Sequence, residues 1–217
     1  MLRSILLILS LLLGNELSAQ TAGPSANSSS PPLIILIGPP MSGKTTFAES
    51  ITQAYGIPSI SIEDLIRDNA VELDKLRGPG VSLAEMRYDP AISRYLRERL
   101  KTADLSQGIT LDGYPATLVQ AEDLSKMFPD LKLNLIAMRL QLPGDEIRKR
   151  AKATGRESDR PEIIEQRIKD YHREMDSIAL YFPNAKIVDI EANRSEAQVW
   201  NAIQKALGEA GVKPAAK

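Results

Sequence analysis

Leu33–Thr46 reads LIILIGPPMSGKTT. The first five residues, Leu33–Ile37, form a continuous apolar run, the pattern of a strand buried on both faces. The next eight, Gly38-Pro39-Pro40-Met41-Ser42-Gly43-Lys44-Thr45, match G-x-x-x-x-G-K-[ST] in full, and a helical pattern runs from Lys44 to about Tyr55. The spacing has a physical reason. A loop of this length wraps a phosphate in backbone N–H groups, and the helix that follows adds the positive end of its dipole. From the first turn of that helix Lys44 can reach β- and γ-phosphates, and the Thr45 hydroxyl can ligate Mg²⁺. A strand before and a helix after turn a common pattern into a nucleotide-phosphate site.

Outward from this stretch, short apolar runs alternate with helical patterns. Strands are expected at residues 57–60, 109–111, 133–138 and 187–190. Helices are expected from about residue 63, from Asp89-Pro90 to about 102, and over 117–127, 143–152, 161–181 and 195–207. Such alternation predicts an α/β fold with a parallel sheet covered on both faces. Asp112 leaves the 109–111 strand at its carboxyl end, where ligands collect in open α/β sheets. With Thr45 it is the candidate metal ligand. A basic group, Arg148, Lys149, Arg150, Lys152, Arg156, Arg160 and Arg167, surrounds a polar break at residues 151–160. Phosphoryl transfer runs on positioning and charge neutralisation, so guanidinium groups can serve it without a general base.

Composition narrows the chemistry. The 217 residues are 43% hydrophobic and 25% charged, enough for a sizeable core. A net charge of -1 argues against a general nucleic-acid binder. With no cysteine and one histidine, His172, thiolate catalysis, zinc-thiolate sites and histidine triads are excluded. Residues 1–19 have a signal-peptide layout: Arg3, then an apolar run from Ile5 to Leu13, then Leu17-Ser18-Ala19. The run is too short for a stable membrane span. An exported protein, periplasmic or secreted, is therefore expected, with a cytoplasmic protein carrying an uncleaved apolar tail as the alternative, residues 20–32 as a Ser/Pro-rich linker and 209–217 as a tail. His172, Trp200 and Met127-Phe128 are read as surface or packing residues.

From Leu33 to Leu207 the chain resembles the adenylate kinase family of nucleoside monophosphate kinases. LIILIGPPMSGKTT is similar to its P-loop, and Tyr55–Ser61 with Asp64-Leu65-Ile66-Arg67 is similar to the opening of its monophosphate-binding segment. Leu111–Thr117 with Gln120-Ala121 resembles D-G-[FY]-P-R-T-x-x-Q-A. Gly155–Asp159 with Arg167 and Tyr171 resembles the lid motif and the R-x-x-x-Y that follows it. The resemblance implies a three-layer P-loop kinase fold over residues 33–208: a five-stranded parallel sheet, a helical monophosphate-binding insertion at about 61–100 and a short lid at about 151–160.

It also implies transfer of the γ-phosphoryl of ATP, with Mg²⁺, to a nucleoside monophosphate by a monomer. Gly38, Pro39, Pro40, Met41, Ser42, Gly43, Lys44, Thr45 and Thr46 would hold the ATP phosphates. Arg150 would lie over the ATP base. Arg67 would pair with the acceptor's phosphate, Gly113 and Gln120 would contact its base, and Lys44, Arg156 and Arg167 would neutralise the transferring group.

Several residues depart from the family pattern. Ala116 stands where the signature has an arginine for the acceptor phosphate. A charge-assisted hydrogen bond is worth about 1.5–3 kcal/mol, so its loss weakens acceptor binding roughly tenfold to a hundredfold. Ile62 and Glu63 replace the Thr-Gly pair beside the acceptor's base, and Ser158 replaces a lid aspartate. Thr154 stands where an arginine is frequent, and Thr45 where glycine is usual. At this point two other readings stay open: a kinase for a different small acceptor, and a nucleotide-binding module without turnover.

Overall fold

The computed structural model describes residues 30–178, 181, 182, 185 and 187–215, so the segment expected as a signal (1–19) and most of that expected as a linker (20–32) lie outside the described residues. In chain order the strands are β1 (Pro32–Ile37), β2 (Ser59–Ser61), β3 (Ile109–Asp112), β4 (Asn134–Gln141) and β5 (Ile187–Glu191). The helices are α1 (Lys44–Tyr55), α2 (Ile62–Asp68), α3 (Ala70–Leu76), α4 (Ala91–Thr102), α5 (Leu118–Leu131), α6 (Gly144–Thr154), α7 (Pro161–Ile178) and α8 (Glu196–Glu209). Two 3₁₀ turns, Leu83–Tyr88 and Glu157–Asp159, complete the described elements.

The five strands form one parallel sheet in the order β2-β3-β1-β4-β5. Side chains alternate across a strand, and β1 uses both of its faces. Leu33, Ile35 and Ile37 join one apolar cluster with residues of α2, α4 and α5. Ile34 and Leu36 join a second with residues of α1, α6, α7 and α8. This is why β1 has no polar alternation: all five residues from Leu33 to Ile37 are buried.

Element boundaries moved in places. The second strand, expected at 57–60, spans Ser59–Ser61. Pro58 has no N–H to give and joins the ladder only by accepting from the Thr110 N–H, at 2.8 Å. Helix α5 continues past Met127 to Leu131 and ends at Lys132, whose φ of 53° turns the chain out of the helix. The segment after α8 packs back: Val212 lies against the second cluster, and the Ala215 N–H donates to the Ala54 carbonyl at 3.0 Å.

Because β1 lies between β3 and β4, the loop leaving it emerges at the centre of the sheet's carboxyl edge. Register pairs Leu36 with Asp112 and Ser61 with Asp112. The phosphate loop, the carboxylate of β3 and the start of α2 therefore meet at one place.

Candidate active site

The loop between β1 and α1 is shaped by its small residues. A Cβ at Gly38 would come within 2.7 Å of Ser42 Oγ and 2.9 Å of the Leu140 carbonyl, so only glycine fits there. Gly43 takes φ +88° at the entry to α1, and Met41 holds a left-handed φ of 64°. A non-glycine residue in that region marks a backbone held by its surroundings. Arg150 does part of the holding. Its guanidinium donates to the Met41 carbonyl at 3.2 Å and the Ala192 carbonyl at 2.9 Å, while Nε pairs with Glu146 at 3.0 Å.

Lys44 curls back over the loop. Its ammonium donates to the carbonyls of Gly38 and Pro39, each at 2.9 Å, and to Ser42 Oγ at 3.4 Å. Burial lowers its pKa to about 8; Asp112 opposes the shift, and Arg87 and Arg167 add to it. A half-buried cation repelled by two guanidinium groups is poised for an anion.

Asp112 closes β3 and is 2% exposed. Its Oδ2 accepts from the Thr45 hydroxyl at 2.6 Å. Burial pushes its carboxyl above the ordinary carboxylate range, against the pull of Thr45 and Lys44. Two hard oxygen donors, one of them anionic, suit Mg²⁺, which keeps water and phosphate oxygens as its remaining ligands. Among the described residues no three His, Cys, Asp or Glu side chains gather into a metal cage. The residues present thus fit an ion that arrives with the nucleotide.

One cavity collects most of this machinery. Gly38, Pro40, Lys44, Arg87, Gly113, Ala116, Arg167 and Tyr171 are among its lining residues. Arg167 comes from α7; burial lowers its pKa, with Arg87 the next contributor. Its Nη1 lies 3.7 Å from Oδ1 of Asp159, a buried carboxylate that also accepts from the Thr154 hydroxyl at 2.8 Å.

Other expected residues lie apart. The Arg67 side chain is 70% exposed and pairs with Asp64 and Asp68 beside it on α2, at 2.6 and 3.4 Å. Arg156 lines a separate hollow between α6 and α7 with Arg148, Asp159 and Arg160. Gln120 is fully buried and both ends of its amide are in use: Nε2 donates to the Arg87 carbonyl and Oε1 accepts from the Ala116 N–H, each at 2.8 Å.

Sequence reasoning missed Arg87. It sits in the 3₁₀ turn Leu83–Tyr88, entered by a capping box in which Ser82 and Glu85 each accept from the other's backbone N–H. That S-x-x-E pattern was legible, but nothing local says where Arg87 points.

A family model described as adenylate kinase matches residues 36–187. Curated relatives carry the same description. One from Mesorhizobium japonicum is 30% identical over 189 residues, covering 80% of this chain and 96% of the relative. Another, from Mycolicibacterium smegmatis, is 34% identical and covers 69% of this chain and 84% of its own. A third, from Micrococcus luteus, is 34% identical over 71% of this chain and 80% of its own.

Proposed function

Since the chain belongs to the adenylate kinase family and is a nucleoside monophosphate kinase, we propose that it transfers the γ-phosphoryl of ATP to AMP, giving two molecules of ADP. One observation carries this reading: Lys44 and Arg167 line the same cavity as Gly113 and Ala116 of the acceptor-side segment. The relatives' description points to AMP as the acceptor.

The division of labour follows from the geometry. The loop N–H groups and the α1 dipole receive the ATP phosphates, and Lys44 exchanges its loop carbonyls for phosphate oxygens. Arg167 faces the transferring group and offsets the charge spread over its oxygens. Thr45 and Asp112 would hold Mg²⁺, which supplies neutralisation of the β- and γ-phosphate charge when bound. Closure of the 151–160 segment brings Arg156 in and excludes water, which protects ATP from hydrolysis. The signal layout of residues 1–19 extends the proposal to an exported enzyme, which amino-terminal sequencing of the protein from fractionated cells tests.

The direct test is acceptor-dependent ADP formation with ATP and Mg²⁺ against AMP, CMP, UMP, GMP and dTMP in turn. Turnover with AMP supports the proposal. Turnover with another acceptor alone reassigns the substrate, and none with any acceptor removes the kinase reading.

A further inference from the structure

One departure from the family pattern pairs with a guanidinium, and a second lines that guanidinium's cavity. Glu63, where the pattern has glycine, places Oε1 3.0 Å from Arg87 Nη1. Ala116, where it has arginine, lines the same cavity as Arg87. Positions 87 and 116 are also bridged by one side chain, because the Gln120 amide spans from the Arg87 carbonyl to the Ala116 N–H. We propose that Arg87 is the acceptor-phosphate ligand of this chain, supplying from the 3₁₀ turn the guanidinium that position 116 lacks.

Burial, aim and charge support the assignment. Only 15% of the Arg87 side chain is exposed, against 70% for Arg67, whose donors face carboxylates on its own helix. The other nitrogen of its fork, Nη2, would lie 3.5 Å from a Cβ built on Gly113, so it reaches the bare backbone that follows Asp112. Arg87, Lys44 and Arg167 line one cavity, so three cations gather where an anion would be received.

Glu63 is 56% exposed and well hydrated, and a phosphate dianion competes well against it for the fork. Ala116, in the same lining, adds no charge and little bulk to compete with Arg87.

The inference rests on the monophosphate-kinase reading above, and its test separates the two. Acceptor and ATP KM values, and calorimetric binding of the five monophosphates, are compared for wild type, Arg87→Ala, Arg87→Lys and the double variant Arg87→Ala/Ala116→Arg. Arg87→Ala is expected to raise acceptor KM and Kd about tenfold to a hundredfold, with ATP KM within about twofold. Arg87→Lys keeps the charge and loses the fork, so it falls between. The double variant restores a guanidinium to the same cavity and recovers at least half of the logarithmic loss.

Thermal melts confirm that each variant is folded. An acceptor Kd unchanged by Arg87→Ala, or equal losses for acceptor and ATP, overturns the assignment while wild-type turnover upholds the kinase reading. Arg87-dependent monophosphate binding without wild-type turnover does the reverse. Wild type that binds no monophosphate overturns both.

Discussion

The Thr45 hydroxyl donates to Asp112 Oδ2 at 2.6 Å across 67 residues of chain, joining the first turn of α1 to the carboxyl end of β3. In the proposed reaction the two oxygens would hold the nucleotide's Mg²⁺ together. Asp112→Asn keeps an acceptor for the Thr45 hydroxyl and removes only the charge. A fall in kcat of about two orders of magnitude or more is expected, with melting temperature unchanged or raised. Steady-state kinetics over a Mg²⁺ series, beside a melt, measures both.

Lys44 is held at a cost to stability. Burial lowers its pKa to about 8, and Arg87 and Arg167 crowd it. Lys44→Met is therefore expected to abolish turnover while stabilising the ligand-free protein by about 1 kcal/mol at pH 7, read as a rise in denaturation midpoint. A lower midpoint would mean that the ammonium's bonds to Gly38 and Pro39 outweigh its burial.

The same ammonium sets a pH dependence. Below about pH 8 it is already charged, so ATP affinity stays flat on its account. Above that, binding must take up a proton because phosphate oxygens restore the charged form, and affinity falls by up to about tenfold per pH unit. On the acid side, Mg²⁺ needs an ionised Asp112, whose pKa is raised by burial, so metal-dependent ATP binding weakens as pH falls through that raised value. Calorimetry at pH 9 in buffers of different ionisation enthalpy counts the proton taken up.

Gln120 makes a further case. With its amide spanning Arg87 and Ala116, Gln120→Ala leaves the Arg87 carbonyl and the Ala116 N–H, both on half-buried residues, without their partner. A loss of about 1–3 kcal/mol is expected, seen as a drop in melting temperature of about 2–4 °C per kcal/mol, together with a higher acceptor KM. If Gln120 instead read the acceptor's base directly, the variant would change base preference at unchanged stability.

What could be read from the sequence was whatever sat beside a local pattern. Leu33–Ile37 and Gly38–Thr45 are contiguous, so strand, loop and helix followed from one reading, and Asp112 was visible because an apolar run ends on it. Arg87 lies in MRYD, between two helices and without periodicity; the Gln120 amide and Glu63 carboxylate that place it come from elsewhere in the chain. Arg150 was visible within a basic run, but its hold on the Met41 and Ala192 carbonyls depends on how α6 packs against the loop and the end of β5. Charge type is local information, whereas what a charge faces is not.

The most direct test of the central claim follows the phosphoryl group itself. With ATP labelled at the γ-phosphate, Mg²⁺ and excess AMP, the label should move into ADP formed from AMP, with little free phosphate, and Lys44→Met should stop the transfer. Label released as inorganic phosphate at the same rate with and without a monophosphate, or retained in ATP, would contradict it.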